Sequence, residues 1–112
     1  MSLADKIRES RRIEIPVKEM KFFSSRPSVE EYGAMYLKGT TNAEVARRYV
    51  DGWEGVRECD LFPGGSKNEV KFDKELWREA IGDLMEIYNP IAEALIAATQ
   101  KQIEAKAKNK KN

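Results

Sequence analysis

The sequence predicts an α+β fold that is mainly α-helical, with a small N-terminal β-hairpin followed by about four helices. Three observations predict this fold: apolar and polar residues alternate near the start, capping signals recur, and later segments carry apolar residues at helical spacing. All 112 residues are assigned to a single domain. Within it we expect a hairpin over 13–25, a helical part over 28–104 and a basic, flexible tail over 105–112.

The hairpin prediction rests on period-two alternation. Ile13, Ile15 and Val17 alternate with a charged residue or proline, and the pattern resumes after Lys18-Glu19, which is the expected tip. Branched residues that alternate in this way indicate a strand with one buried face. Pro16 has no N–H to donate, so its strand is expected at the edge of the sheet.

Two capping boxes predict the first two helices of the helical part. Ser28 and Glu31 stand three residues apart, where the hydroxyl and the carboxylate each satisfy a backbone N–H at a helix start. Thr41 and Glu44 repeat this spacing, and Gly39 is expected to end the first helix in a left-handed conformation. The second helix is predicted to carry an amphipathic stripe formed by Ala43, Ala46, Val50 and Trp53.

Two further helices complete the predicted fold. Asp73 is the expected N-cap of the first, whose apolar stripe comprises Trp77, Ile81, Leu84 and Tyr88. Asn89-Pro90 then predicts a new helix start, because proline is tolerated at the first helical position. The last helix carries Ile91 and Leu95 on one face, and we expect it to fray beyond Lys106.

The composition limits the chemistry that this chain can perform. It has no histidine and a single cysteine, Cys59, which excludes histidine-based nucleophiles, a zinc site and an internal disulfide. A net charge of +1 disfavours nucleic acid as a partner. The charged start and the lack of a long apolar run predict a cytoplasmic protein without membrane contact. We therefore expect no enzymatic activity, no catalytic or metal-binding residue and no cofactor.

The candidate contact residues are apolar rather than reactive. Residues 56–72 are predicted to form a loop, in which Leu61-Phe62 precedes a glycine-rich turn and is either local core or an exposed contact. The aromatic residue before this loop and the apolar face of the last helix complete the set. The predicted partner-binding residues are Trp53, Leu61, Phe62, Ile91 and Leu95.

The basic residues allow a second interpretation. Arg47 and Arg48 lie on a predicted helix and could face phosphate groups, which would suit a small DNA-binding regulator. An exposed helix face explains the same pair without a ligand. The lysine-rich end of the chain is interpreted as a solubilising tail.

Two short motifs resemble those of small phage and prophage tail assembly chaperones. They are Gly52-Trp53-Glu54-Gly55-Val56 and Val70-Lys71-Phe72-Asp73, and the resemblance covers residues 13–98. It implies a non-enzymatic protein of the host cytoplasm that binds the tape-measure protein and the tail tube protein, with a possible homo-oligomer. A structural virion component, such as a head–tail connector or minor tail protein, is a further alternative.

The resemblance also implies a longer product made by ribosomal frameshifting near the end of the reading frame. The dipeptide Lys-Asn occurs at 108–109 and again at 111–112. Its codons are compatible with an A-rich slippery sequence at that place.

Overall fold

The structure of the chain is a computed structural model that describes residues 1–110. A 3₁₀ turn, Ile81–Asp83, separates the last two helices. The helices and strands are, in chain order, α1 (Leu3–Ser10), β1 (Arg12–Val17), β2 (Met20–Ser25), α2 (Val29–Lys38), α3 (Asn42–Tyr49), β3 (Val50–Glu54), α4 (Glu58–Leu61), α5 (Lys74–Ala80) and α6 (Met85–Lys110).

Residues 1–110 form a mixed α+β fold with six α-helices and a three-stranded antiparallel sheet in the order β1-β2-β3. The prediction of one hairpin followed by about four helices is therefore wrong. The sequence reading missed β3, and it did not assign the single turn of α4. One face of the sheet is buried against the helices, and α6 packs against α2, α3 and β1.

The hairpin forms where the alternation predicts it. β1 and β2 pair antiparallel, with Arg12 opposite Ser25 and Val17 opposite Met20. The tip lies at Lys18, which adopts a positive φ of 55°. Because β1 is an outer strand, its proline lies at the edge of the sheet as predicted.

Local capping signals also correspond to observed helix ends. The Ser28 hydroxyl accepts a hydrogen bond from the Glu31 N–H at 3.1 Å, and the Glu31 carboxylate accepts one from the Ser28 N–H at 2.9 Å. Gly39 ends α2 in the left-handed conformation, with φ 66°. The Asp73 carboxylate accepts hydrogen bonds from two backbone N–H groups at the start of α5. Each of these devices acts between neighbours in sequence, and at these helix ends no tertiary contact overrides it.

The segment predicted to close the second helix forms a strand instead. α3 begins after Thr41, whose hydroxyl accepts the predicted hydrogen bond from the Glu44 N–H at 3.2 Å, but it ends at Tyr49. Val50 and Trp53 then lie in β3, where both side chains are buried. Their spacing of three suits a helix, and it suits this strand because the pairing of β2 with β3 contains a register shift.

α6 is continuous through the predicted helix start at Asn89-Pro90, so that prediction is wrong. Pro90 lies in the second turn of α6, where it removes one intrahelical hydrogen bond. The side-chain oxygen of Asn89 (Oδ1) accepts a hydrogen bond from the Asn42 side-chain amide at 3.0 Å instead of capping a helix. Ile87 and Ile91, on either side of the proline, are both buried, so the segments of α6 before and after Pro90 pack into the same hydrophobic core.

The segment predicted as a basic tail begins as helix. α6 continues to Lys110, past Lys106, where fraying was expected. The side chains from Ile103 to Lys108 are all exposed, so these turns add nothing to the core. Lys111 and Asn112, which contain the second Lys-Asn pair, lie outside the described residues.

An aromatic cluster joins the sheet to α5. Phe22 of β2, Trp53 of β3 and Trp77 of α5 pack with ring centroids 5.5 to 6.3 Å apart. The ring centroid of Phe72, just before α5, lies 5.0 Å from that of Trp53, and the two rings are arranged edge to face. Such pairs add about 0.5–1.5 kcal/mol each beyond the area that they bury. The cluster therefore fixes the position of α5 on the sheet.

Hydrogen bonds orient both tryptophans in this cluster. The Trp53 indole N–H donates to the Val70 carbonyl at 2.7 Å, and the Trp77 indole N–H donates to the Ala46 carbonyl at 3.1 Å. A buried indole without such an acceptor would retain the cost of desolvating its donor. The two bonds tie the cluster to α3 and to the segment before α5.

Lys74 joins the beginning of α5 to the end of α3. Its ammonium group donates to the carbonyl oxygens of Arg47, Arg48 and Val50 at 3.0, 3.3 and 2.8 Å. These contacts use all three donors of the ammonium group and satisfy carbonyl groups at the helix end. Burial, together with the nearby charge of Arg78, lowers the pKa of Lys74.

Two glycines give a matched test of backbone constraint. Gly55 has φ 72°, and a Cβ there would lie 2.9 Å from the Glu19 carbonyl oxygen at the hairpin tip. Gly33 lies inside α2, and a Cβ there would meet nothing within 4 Å. We expect Gly55→Ala to lower the free energy of unfolding by about 1–3 kcal/mol. Gly33→Ala should raise it by about 0.5–1 kcal/mol, because glycine disfavours helix interiors.

Urea unfolding followed by circular dichroism measures both changes. A Gly55→Ala variant as stable as the unsubstituted protein would contradict the close approach of β3 to the hairpin tip.

Candidate functional site

The structure separates the five predicted contact residues into four buried ones and one exposed one. Trp53 and Leu61 belong to the hydrophobic core, and Ile91 and Leu95 are fully buried where α6 packs on the rest of the chain. Phe62 is 51% exposed. Of the five, Phe62 alone offers most of its side chain to a partner in this conformation.

α4 places Phe62 at the surface. Its first turn is stabilised by Asp60, which accepts hydrogen bonds from the Arg57 backbone N–H at 2.9 Å and from the Arg57 guanidinium at 3.3 Å. Burial raises the pKa of Asp60, but these hydrogen bonds outweigh it and hold the pKa below its usual value. The ionised carboxylate thus stabilises the helix start at neutral pH. Leu61 points into the core, and Phe62 follows at the helix end.

The chain after the glycine-rich turn runs back beside α4. The Cys59 N–H donates to the Ser66 carbonyl at 2.8 Å, and the Glu58 N–H donates to the Asn68 carbonyl at 3.0 Å. This close pairing requires Gly65, because a Cβ there would lie 2.7 Å from the Glu58 carbonyl oxygen. The segment predicted as a loop therefore contains a helical turn that is hydrogen-bonded to the returning chain next to Phe62.

A groove of about 430 Å³ lies beside the Phe62 ring. Its apolar lining comes from α4, from the segment before α5 and from α5 itself, and all charged residues that line it are acidic. We call it the acid-rimmed groove. It is formed by the apolar residues Leu61, Phe62, Val70, Leu76 and Ala80 and by the acidic residues Glu58, Glu79 and Asp83.

The rim carboxylates differ in exposure. Glu79 and Asp83 are exposed, while Glu58 is half-buried and accepts a hydrogen bond from the Ser66 N–H at 3.1 Å. None of the three takes part in an ion pair among the residues that the structure describes. The groove therefore combines an apolar surface with uncompensated negative charge.

Two other cavities lack the combination of an exposed aromatic ring and purely acidic charges. One of about 740 Å³ lies between β3 and residues 69–71 and is lined by acidic and basic side chains together. Another of about 450 Å³ lies between Val29 and the exposed last turns of α6, and its lining is apolar apart from Gln102 and Lys106. Neither contains an aromatic ring as exposed as that of Phe62.

The sequence reading missed the α5 side of the groove. Leu76 and Ala80 are four residues apart, and Glu79 and Asp83 repeat that spacing, so both pairs are visible in the sequence as helical rows. Leu76 lies next to Trp77, the first residue of the predicted stripe, and this second apolar row was the available signal. Only the folded chain brings these rows beside Phe62.

The arginine pair considered for DNA binding does not form one free basic surface. Arg47 is half-buried and pairs with Glu44 at 2.6 Å, whereas Arg48 is exposed. The DNA-binding alternative stays a prediction that no further observation favours.

Within residues 1–110, no group of three or more His, Cys, Asp or Glu side chains is arranged to hold a metal ion. None of the helices in that range has the length and apolar character that a membrane span requires. No known protein family, curated protein or solved structure was found to match the chain.

Leu61 and Phe62 are neighbours, but the first is buried and the second is half-exposed. Truncation of each side chain to alanine should therefore lower the free energy of unfolding by different amounts. We expect Leu61→Ala to lower the free energy of unfolding by about 2–4 kcal/mol, because it opens a cavity in the core. Phe62→Ala should cost about 1 kcal/mol or less, because half of the ring is already in water. Urea unfolding of the two variants measures the difference. Equal losses would mean that the Phe62 ring belongs to the core.

Proposed function

We propose that this chain is a phage tail assembly chaperone: a non-enzymatic protein of the host cytoplasm that binds the tape-measure protein and assists assembly of the tail tube. The tail tube protein is its second partner in this proposal. The observation that carries the proposal is the half-exposed Phe62 beside an apolar groove on a stable scaffold. An exposed aromatic ring at an apolar concavity is typical of a protein-binding surface.

The two motifs that resemble those of tail assembly chaperones contain residues that line or position the acid-rimmed groove. In the first motif, Trp53 donates its indole N–H to the carbonyl of Val70, whose side chain lines the groove. In the second, Asp73 caps α5, the helix that contributes Leu76 and Ala80. The resemblance thus falls on residues that hold the acid-rimmed groove in place.

The binding mode favoured by this geometry is a helix in a groove. The apolar faces of α5 and α6 that contain Trp77, Ile91 and Leu95 are buried within the chain, so Phe62 is the one predicted contact residue that a client could reach. An amphipathic segment of the tape-measure protein would lay its apolar side on this surface. A small contact of this kind releases readily, as a chaperone requires when the tube replaces it.

Co-expression with the tape-measure protein of the same genome tests the proposal. We expect the tape-measure protein to become soluble and to co-purify with this chain. Phe62→Asp should weaken the complex about thirtyfold, because loss of an aromatic anchor costs about 2 kcal/mol. Tyr36→Asp is the matched control, because Tyr36 is 78% exposed on α2, away from the groove, and its loss should leave retention unchanged.

Failure of the unsubstituted chain to retain or solubilise the tape-measure protein would contradict the proposed function. Mass spectrometry of purified phage particles separates a chaperone from a virion component. The chaperone should be absent from mature particles, and a head–tail connector or minor tail protein would be present.

A further inference from the structure

We infer that the acid-rimmed groove binds a cationic amphipathic helix, in which an apolar stripe is flanked by lysine or arginine. This inference deepens the proposed function and rests on it for the identity of the client, the tape-measure protein. It adds the chemistry by which a client segment is selected.

The apolar row on α5 sets the direction in which a helix can lie. Leu76 and Ala80 are four residues apart on the same face, and both are partly buried. Rows of residues at this spacing form the ridges against which a second helix packs. Phe62, across the groove, supplies a large aromatic surface that would otherwise stay half in water.

The acidic row beside it sets the charge that a partner must carry. Glu79 of α5 and Asp83 of the following 3₁₀ turn line the groove together with Leu76 and Ala80, and Glu58 lies on its α4 side. A helix seated between these carboxylates would place the flanks of its apolar stripe next to negative charge on both sides. Lysine or arginine at the flanks would be attracted, and glutamate or aspartate would be repelled.

The same charges disfavour other occupants. Nucleic acid and the anionic surface of a membrane are both negatively charged, so the rim would repel them. An extended peptide would need a free strand edge, and the groove is built from α4, α5 and the segment between them rather than from a sheet edge. A helix with an apolar stripe and basic flanks would contact the apolar lining of the groove and pair with its acidic residues.

Two synthetic peptides test this inference without the client. Both carry the same leucine stripe at helical spacing, and one has lysine and the other glutamate at every flanking position. Isothermal titration calorimetry at low ionic strength should show that the unsubstituted protein binds the lysine peptide about tenfold more tightly, because each exposed charge pair contributes modestly. The preference should shrink in high salt, where exposed charges are screened.

Charge reversal locates the preference in the groove. Glu79→Lys combined with Asp83→Lys should reverse the preference toward the glutamate peptide. Glu93→Lys combined with Glu104→Lys is the matched control, because both residues are exposed on α6 outside the groove and the net charge changes equally. That control should keep the preference for the lysine peptide.

Three outcomes would overturn the inference. The first is equal binding of the two peptides, and the second is a preference that survives reversal of the groove charges. The third is self-association of the unsubstituted chain that reversal of the groove charges abolishes, since the groove would then hold the basic end of a second copy.

Retention of the tape-measure protein by the groove-reversed variant at the unsubstituted level would reject this inference but leave the proposed function intact. Selective peptide binding without retention of the tape-measure protein would reject the proposed function and leave the groove chemistry standing.

Discussion

The packing of Trp77 against the sheet is the interaction on which the rest of the structure depends. A three-stranded sheet buries one face only if another element covers it. The Trp77 ring meets Phe22 and Trp53 on two different strands, and its indole N–H donates to the Ala46 carbonyl of α3. A single side chain thus connects the sheet, α3 and α5, and its complete burial removes a large apolar area from water.

The same core residues also position the elements that form the acid-rimmed groove. Once Trp77 holds α5 by its inner face, the row formed by Leu76 and Ala80 lies on another side of the helix. Trp53 contributes through its hydrogen bond to the Val70 carbonyl, which positions the residue between α4 and α5 that lines the groove. The surface that we propose for client binding is therefore attached to the core on its inner side. A preorganised apolar surface loses little conformational entropy on binding, which favours affinity from a small contact area.

Sequence reasoning succeeded and failed for identifiable physical reasons. The capping box of Ser28 and Glu31 was predictable because both partners are close in sequence. The helical reading of Val50 and Trp53 failed because a spacing of three has two structural solutions. In β3, a register shift between the pairs Phe23–Gly52 and Ser24–Val50 inserts an extra residue, which turns both apolar side chains to one face. The spacing of the two apolar residues does not distinguish the bulged strand from a helix.

The sequence by itself determined the helix caps at Ser28, Thr41 and Asp73, the hairpin and the absence of histidine chemistry, because these depend on residue identity or on partners a few positions away. Only the tertiary structure decided which apolar residues are available to a partner. Leu61 and Phe62 are adjacent and similarly apolar, yet the first is 7% exposed and the second 51%. Ile91 and Leu95, equally plausible contacts on a helical stripe, are buried. Exposure is set by elements distant in the chain, and Glu79 of α5 and Asp83 of the 3₁₀ turn line the same groove as Phe62 only after those elements have packed.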